Sequence, residues 1–417
     1  MQGMDSVYIP RSIRFKLKKL FEHFPVVVVS GARQVGKSTL LENEFPDIHK
    51  IAFDPVVDIE GARSDPDLFL NNNPSPIILD EIQYVPELIP AIKRRVDKNK
   101  KNGQYLVTGS QQWEVMKKLS ESLAGRAVFI DLKGFNLSEI SGNADENFWV
   151  AKWLDSPEFI ISHNLHLANS KYTLFEQIWR GFLPKTNFLP QDLIQDYMLA
   201  YERTYIERDI RLMAEISDLS LFSKFFRLTA ALTAKEINFS QMGRELGVTP
   251  QTATRWLELL KATFQWYEIS AYSGNTIKRL SGKPKGHISD TGLACFCLGI
   301  SLPNNLSTHP MWGFIFESTV VNEIRKQMGL FTARANCYHW RTNGGAEVDL
   351  IIEKDGVFYP FEIKGNSHPD KKDAGGIIAF KKTYPKLDIK PGLIIAPSES
   401  FYAVADDIFV MPWNAFI

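Results

Sequence analysis

One stretch constrains this chain more than any other. Val26-Val27-Val28-Val29 runs straight into Ser30-Gly31-Ala32-Arg33-Gln34-Val35-Gly36-Lys37-Ser38-Thr39. Four successive β-branched residues read as a short strand buried on both faces. The residues after it fit G-x-x-x-x-G-K-[ST] and lead into Leu40-Leu41-Glu42, which reads as a helix start. A strand, a glycine-bracketed loop and a helix in that order build a phosphate cradle. Gly31 and Gly36 let the backbone bend, so that the N–H groups of the loop, Arg33, Gln34 and Val35 included, surround the phosphates of ATP or ADP. Lys37 reaches the β- and γ-phosphates as a point charge. Ser38 offers its hydroxyl to Mg²⁺, and Thr39 donates to the α-phosphate.

A second apolar run, Pro76-Ile77-Ile78-Leu79, ends in Asp80 and Glu81. Open α/β sheets place ligands at the C-terminal ends of their strands. Asp80 there serves Mg²⁺ through water, and Glu81 orients and deprotonates an attacking water. A third strand, Tyr105-Leu106-Val107-Thr108-Gly109-Ser110, ends on hydroxyls. Thr108 or Ser110 reads either as a γ-phosphate sensor or as the cap of the helix that follows. Arg126 lies between that helical stretch, Trp113 to Ser122, and a further strand, Ala127-Val128-Phe129-Ile130. It reads either as a finger reaching a neighbouring subunit's nucleotide or as half of a surface ion pair.

Taken together, the loop, Leu79-Asp80-Glu81-Ile82-Gln83, Thr108-Gly109-Ser110 and Ser122-Leu123-Ala124-Gly125-Arg126 resemble the AAA+ ATPases of bacteria and archaea. More narrowly, they resemble a P-loop family that carries a C-terminal domain of formerly unknown function. Tyr8-Ile9-Pro10-Arg11 is similar to that family's lead-in, which implies that Ile9 and Arg11 pack near the adenine. The resemblance also implies self-association, as a homo-oligomeric ring of six subunits or similar, with nucleotide at subunit interfaces.

Residues 136–232 show mostly helical periodicity and are expected to form a helical lid or linker. Within them, Tyr205-Ile206-Glu207-Arg208-Asp209 reads as a salt-bridged helix face, with Arg203 or Arg208 as a weaker candidate for nucleotide sensing. Residues 233–305 carry a helix-turn-helix pattern: Ser240 as a cap, Gly247-Val248 as the turn, and Thr249-Pro250 opening a second helix. That helix would present Gln251, Thr252, Thr254 and Arg255 to DNA. Lys278, Arg279, Lys283 and Lys285 have the composition of a wing that touches phosphate. Winged helices in AAA+ proteins also serve as lids or subunit contacts.

Residues 306–417 change to an α/β pattern. A helix carries Glu317 near its start, and a hairpin carries Asp349 on one strand with Glu362 and Lys364 at the end of its partner. Residues two apart on a strand share a face, so Glu362 and Lys364 point the same way. Three acids and a lysine converging at a sheet edge can hold a second Mg²⁺ or Mn²⁺ and orient water for phosphodiester attack. The plainer reading is a hairpin with cross-strand ion pairs. The arrangement resembles the PD-(D/E)xK restriction-endonuclease-like superfamily, which can keep its fold while using the site only to bind.

The expected fold class is α/β: an AAA+ P-loop core over residues 1–135, a helical lid, a winged helix-turn-helix and a restriction-endonuclease-like domain. The chain has 417 residues, with 48 basic and 48 acidic side chains. That balance excludes a uniformly basic DNA-coating protein and confines any DNA contact to local faces. Three cysteines without zinc spacing, no apolar leader and no membrane-length run point to a cytoplasmic protein. The leading expectation is Mg²⁺-dependent ATP hydrolysis driving DNA binding, remodelling or translocation, with a nuclease-like module. The alternative is a nucleotide-controlled assembly switch with a non-catalytic C-terminal binding domain.

Overall fold

The computed structural model describes residues 8–54, 59–110, 121–145, 149–163, 165–204, 210, 216, 218–275, 279, 282–331 and 334–416. These divide into two compact units. One comprises residues 1–135 with 183–188 and 259–265, and the other the remainder.

The first unit is built on five parallel strands: β1 (Val26–Ser30), β2 (His49–Ala52), β3 (Ile77–Asp80), β4 (Tyr105–Gly109) and β5 (Ala127–Asp131). Their spatial order is β2-β3-β4-β1-β5. The strand of valines sits between β4 and β5, and all four side chains are fully buried. Val26 and Val28 join Ile77, Leu79, Leu88 and Ile92 in one apolar cluster. Burying such side chains contributes roughly 1.5–3 kcal/mol each before the entropy of ordering the chain is set against it. The order has a consequence for chemistry: β4 lies between the strand that ends in the glycine loop and the strand that ends in Asp80. A hydroxyl at the end of β4 therefore stands next to both.

The second unit is built on a larger sheet. Its strands are β7 (Lys235–Glu236), β8 (Trp266–Ala271), β9 (Lys285–Ile288), β10 (Asn336–Arg341), β11 (Glu347–Lys354), β12 (Val357–Ile363), β13 (Asp388–Ile389), β14 (Gly392–Ala396), β15 (Tyr402–Ala405) and β16 (Ile408–Pro412). Their order is β15-β16-β14-β12-β11-β10-β8-β9-β7, with β13 beside β12. A short pair, β6 (His166–Leu167) with β17 (Ala415–Phe416), stands apart. Among the described residues of 136–232 lie helices Leu137–Ile140, Trp149–Asp155, Pro157–Ser162, Leu174–Arg180, Ile194–Thr204 and Leu219–Ala231, together with β6.

The segment expected to be helix-turn-helix folds as helices Phe239–Leu246 and Pro250–Ala262, followed by the β8–β9 hairpin. The first helix is capped by Asn238, whose side chain accepts from the Gln241 N–H, and not by Ser240, which lies inside the helix. Thr249 caps the second, accepting from the Thr252 N–H at 3.1 Å. The hairpin does not stand free. β8 pairs in parallel with β10, through Ser270↔Tyr338 and Ala271↔His339, so one sheet runs across the boundary expected at residue 305. This join carries Lys285 of the expected wing into the C-terminal pocket.

Among the described residues, no helix is long and apolar enough to cross a membrane.

Candidate functional site

The glycine loop leaves β1 in a conformation that its sequence permits. Gly31 has φ of 151°, and a Cβ there would lie 2.1 Å from the Leu132 carbonyl oxygen, so no larger residue fits. Gly36, with φ of 90°, heads the helix Lys37–Glu44. The Lys37 ammonium is buried and donates to the carbonyl oxygens of Gly31 and Ala32 at 3.0 and 2.9 Å.

The acids meet this loop at the end of β3. The Ser38 hydroxyl donates to Asp80 Oδ1 at 3.0 Å, and Thr108 from β4 donates to the same oxygen. Thr108 also accepts the Glu81 N–H at 2.9 Å. Glu81 turns off the strand with φ of 59°, a backbone that few non-glycine residues adopt. Its carboxylate is gripped by Gln83 and by Ser110, the latter at 3.3 Å. Lys50 on β2 pairs with Asp80 Oδ2 at 3.4 Å. A hydroxyl and a carboxylate side by side at the loop suit the Mg²⁺ that a nucleotide brings, so Ser38 and Asp80 are the residues that would hold it.

A cavity of about 370 Å³ opens over Gln34, Gly36, Lys37, Ser38, Thr39 and Glu81. Tyr8, Ile9 and Arg11 of the lead-in line it, and so do Phe135, Pro184, Lys185 and Phe188, which sequence reasoning missed. Arg11 is 4% exposed and braces the wall: it donates to the carbonyls of Val35 and Lys133 at 2.9 and 2.7 Å, and its guanidinium lies over the Phe135 ring. Arg33 does not line this cavity. It donates to the Tyr84 hydroxyl at 3.2 Å. Val35 is buried, and what it offers a ligand is backbone. Arg126 pairs with Asp97 and donates to the Ala124 carbonyl.

The second unit brings Glu317, Asp349, Glu362 and Lys364 together in a cavity of about 850 Å³. Glu317 comes from the helix Trp312–Met328, Asp349 from β11 and Glu362 from β12. Sequence reasoning missed two participants. Glu347 joins the cluster from β11. Lys285, assigned to an exposed wing, comes from β9, is 3% exposed and stands among the acids. Its ammonium lies 2.8 Å from Glu317, 2.7 Å from Glu347 and 3.1 Å from Asp349.

Burial alone would depress the Lys285 ammonium. The fields of Asp349, Glu317 and Glu347 outweigh it and hold the group well above its usual value. Burial and the Asp349 charge push Glu317 well up and raise Glu362 to about 8. Lys364 donates to Glu362 Oε1 at 2.8 Å. Among the described residues no group of three or more His, Cys, Asp or Glu is disposed to hold a metal ion. The second divalent ion expected here does not fit the pocket as built, because the Lys285 ammonium already stands among Glu317, Glu347 and Asp349.

The expected DNA-contacting residues divide. Gln251 and Arg255 are exposed on the second helix. Thr252 and Thr254 are half-buried, and their hydroxyls bond within the helix, to Thr249 and to the Pro250 carbonyl. Arg279 is not displayed on a wing: it lies over the rings of Tyr272 and Tyr338 and donates to the Ser273 carbonyl. Lys278, Arg208 and most of the helical stretch Trp113 to Ser122 lie outside the described residues.

Residues 23–141 match the family described as "AAA domain". Residues 171–304 and 312–416 match two families described as domains of unknown function, DUF8612 and DUF4143. Uncharacterized proteins of Mycobacterium tuberculosis and Mycobacterium bovis are each 26% identical over 403 residues, covering 96% of this chain and 83% of the relative.

Among solved structures, a Signal Transduction ATPase with Numerous Domains protein from Pyrococcus horikoshii aligns over 78% of this chain at 14% identity and a TM-score of 0.27. This chain spans about half of that protein, 49%. A RuvB variant from Thermotoga maritima aligns over 61% of this chain and 88% of its own, at 14% identity and a TM-score of 0.30. Scores this low carry no structural argument. The P-loop geometry and the family match together define the first unit as an AAA-type P-loop ATPase domain.

Proposed function

We propose that this protein is a Mg²⁺-dependent ATPase whose hydrolytic cycle drives work on DNA. The observation that carries the reading is the linked set Ser38–Asp80–Thr108–Glu81 at the strand ends facing the glycine loop. The loop N–H groups and Lys37 bind the phosphates. Bound Mg²⁺ would neutralise phosphate charge and orient the γ-phosphoryl group. Thr108 holds Asp80 and the Glu81 backbone in register. Glu81 takes the proton of the attacking water once its carboxylate leaves Gln83 and Ser110. Ile9, Phe135, Pro184 and Phe188 supply apolar and aromatic surface for the base.

In the winged-helix reading of residues 233–305, Gln251 and Arg255 are the DNA-facing side chains. Arg126 acts between subunits of a ring only if assembly frees it from Asp97. A second reading, a nucleotide-controlled switch with a restriction-endonuclease-like but non-catalytic C-terminal platform, is favoured by one observation: the ammonium of Lys285 among the acids.

The test is ATP turnover by the full chain with and without duplex, single-stranded and branched DNA. Salt-sensitive binding with faster turnover, both weakened in Arg255→Ala, supports the DNA reading. Unchanged turnover and no binding leave the switch.

A further inference from the structure

The carboxylate of Asp80 is held from two sides. Its Oδ1 accepts from the Ser38 and Thr108 hydroxyls. Its Oδ2 faces the Lys50 ammonium, 3.4 Å away. The register of the sheet explains how a lysine comes to be there. On β2, Ala52 pairs with Asp80 and Lys50 with Ile78, so Lys50 lies on the Asp80 face of the sheet, two residues back along the strand. That is about 6.6 Å, which a flexible four-carbon stem spans.

The same ammonium is also claimed by a second acid. Glu42, on the helix Lys37–Glu44 that follows the glycine loop, pairs with it. The three side chains differ in exposure: Asp80 is 5% exposed, Lys50 25% and Glu42 50%. An exposed ion pair adds little stability, because water screens it. A buried carboxylate is screened less, so a charge beside Asp80 bears on what else that carboxylate can hold. Lys50 does not line the nucleotide cavity, and its influence on a ligand there passes through Asp80.

We propose that Lys50 is a positioning residue that acts through Asp80 and sets the Mg²⁺ concentration at which nucleotide binds. The inference rests on the Mg²⁺–nucleotide reading of the glycine-loop site. Lys50 balances part of the Asp80 charge and repels a dication brought to the same carboxylate. Glu42 moderates this by drawing the ammonium away. Ser38 and Thr108 keep their hold on Oδ1 in either case, so the carboxylate stays aimed at the loop and its charge balance is what changes. Two substitutions therefore push in opposite directions. Loss of the Lys50 charge lowers the Mg²⁺ demand, and loss of the Glu42 charge raises it by leaving the ammonium to Asp80 alone.

The experiment follows binding of a fluorescent ADP analogue to the full-length chain by anisotropy across a Mg²⁺ titration, and reads the Mg²⁺ midpoint. No turnover is needed. Lys50→Met is expected to lower the midpoint roughly three- to tenfold, as loss of one partly screened like charge beside a dication should. Lys50→Arg, which keeps the charge, should stay near the native midpoint. Glu42→Gln is expected to raise it roughly two- to fivefold. In the Lys50→Met background, Glu42→Gln should change nothing further.

A midpoint that is unchanged or raised in Lys50→Met would overturn the inference. So would a Glu42→Gln effect that persists without the lysine, since Glu42 would then act by its own field. Should Lys50→Met fail to fold, Lys50→Gln takes its place and is read the same way. Glu42→Gln, at a half-exposed helix position, tests the sign by itself: a lowered or unchanged midpoint there also contradicts the sharing. A native chain whose ADP binding ignores Mg²⁺ altogether would overturn the reading of the site, and the inference with it.

Discussion

The two candidate sites use the same parts in opposite ways. Each combines carboxylates borne on strands with a buried lysine. At the glycine loop, Lys37 rests on two backbone carbonyls, while Asp80 is held by Ser38, Thr108 and Lys50. At the C-terminal pocket, Lys285 sits on the acids themselves. In the first site a lysine can trade two neutral carbonyls for phosphate charge, a favourable exchange. In the second, any incoming cation must displace a lysine from three carboxylates. One set of residue types gives a site prepared for a ligand in one unit and a site already filled in the other.

The sharpest way to break this contrast is at Glu81. Glu81→Gln should lower ATP turnover by roughly 10²–10⁴-fold, the usual worth of a general base, while ATP affinity is preserved. A variant that hydrolyses normally would remove Glu81 from the chemistry. Next in size is Lys285→Met, which leaves buried acids without their cation. It should lose about 3–5 kcal/mol of stability in chemical denaturation. Glu347→Gln in the same chain should restore part of the loss, and no rescue would mean that the ammonium is not what balances the cluster.

The pH dependence of stability separates the pockets further. Glu362 is raised from 4.5 to about 8 in the fold, with burial the main cause. The folded state holds this proton more tightly than the unfolded chain does. Its contribution is therefore complete below about pH 4.5 and is lost as pH rises through about 8. Glu317 shifts in the same direction. Stability should fall between those limits, and Glu362→Gln should flatten the fall, measured as denaturation midpoints at several pH values. A slope unchanged by the substitution would contradict the assignment. The smallest effect is expected at Arg126. Arg126→Ala should cost about 1 kcal/mol or less, because its partner Asp97 is also exposed. A large loss of turnover at unchanged stability would instead support its action across a subunit interface.

What was legible in the sequence follows from distance along the chain. The loop Gly31–Thr39 contains its own binding groups, so strand, loop and helix could be read directly. Asp80, Glu81 and Thr108 were legible because apolar strands announce where their polar ends lie. Phe135, Pro184, Lys185 and Phe188 reach the cavity from segments with no local signature of it. Glu317, Asp349, Glu362 and Lys364 were readable from strand alternation and one helix start. Lys285 was not, because a lysine in the run Lys278–Lys285 looks solvated until β8 is seen to join β10. The one local hint is that Lys285 opens an alternating segment, Lys285-Gly286-His287-Ile288, of which every residue proves to be buried.

The claim on which the rest depends is that the glycine loop binds Mg²⁺–ATP. Calorimetric titration of Mg²⁺–ATP into the full-length protein and into a folded Lys37→Ala variant tests it most directly. The account predicts one nucleotide per chain, bound roughly 10- to 100-fold more weakly, or not at all, without the lysine. No nucleotide uptake, or uptake indifferent to Lys37, would contradict it.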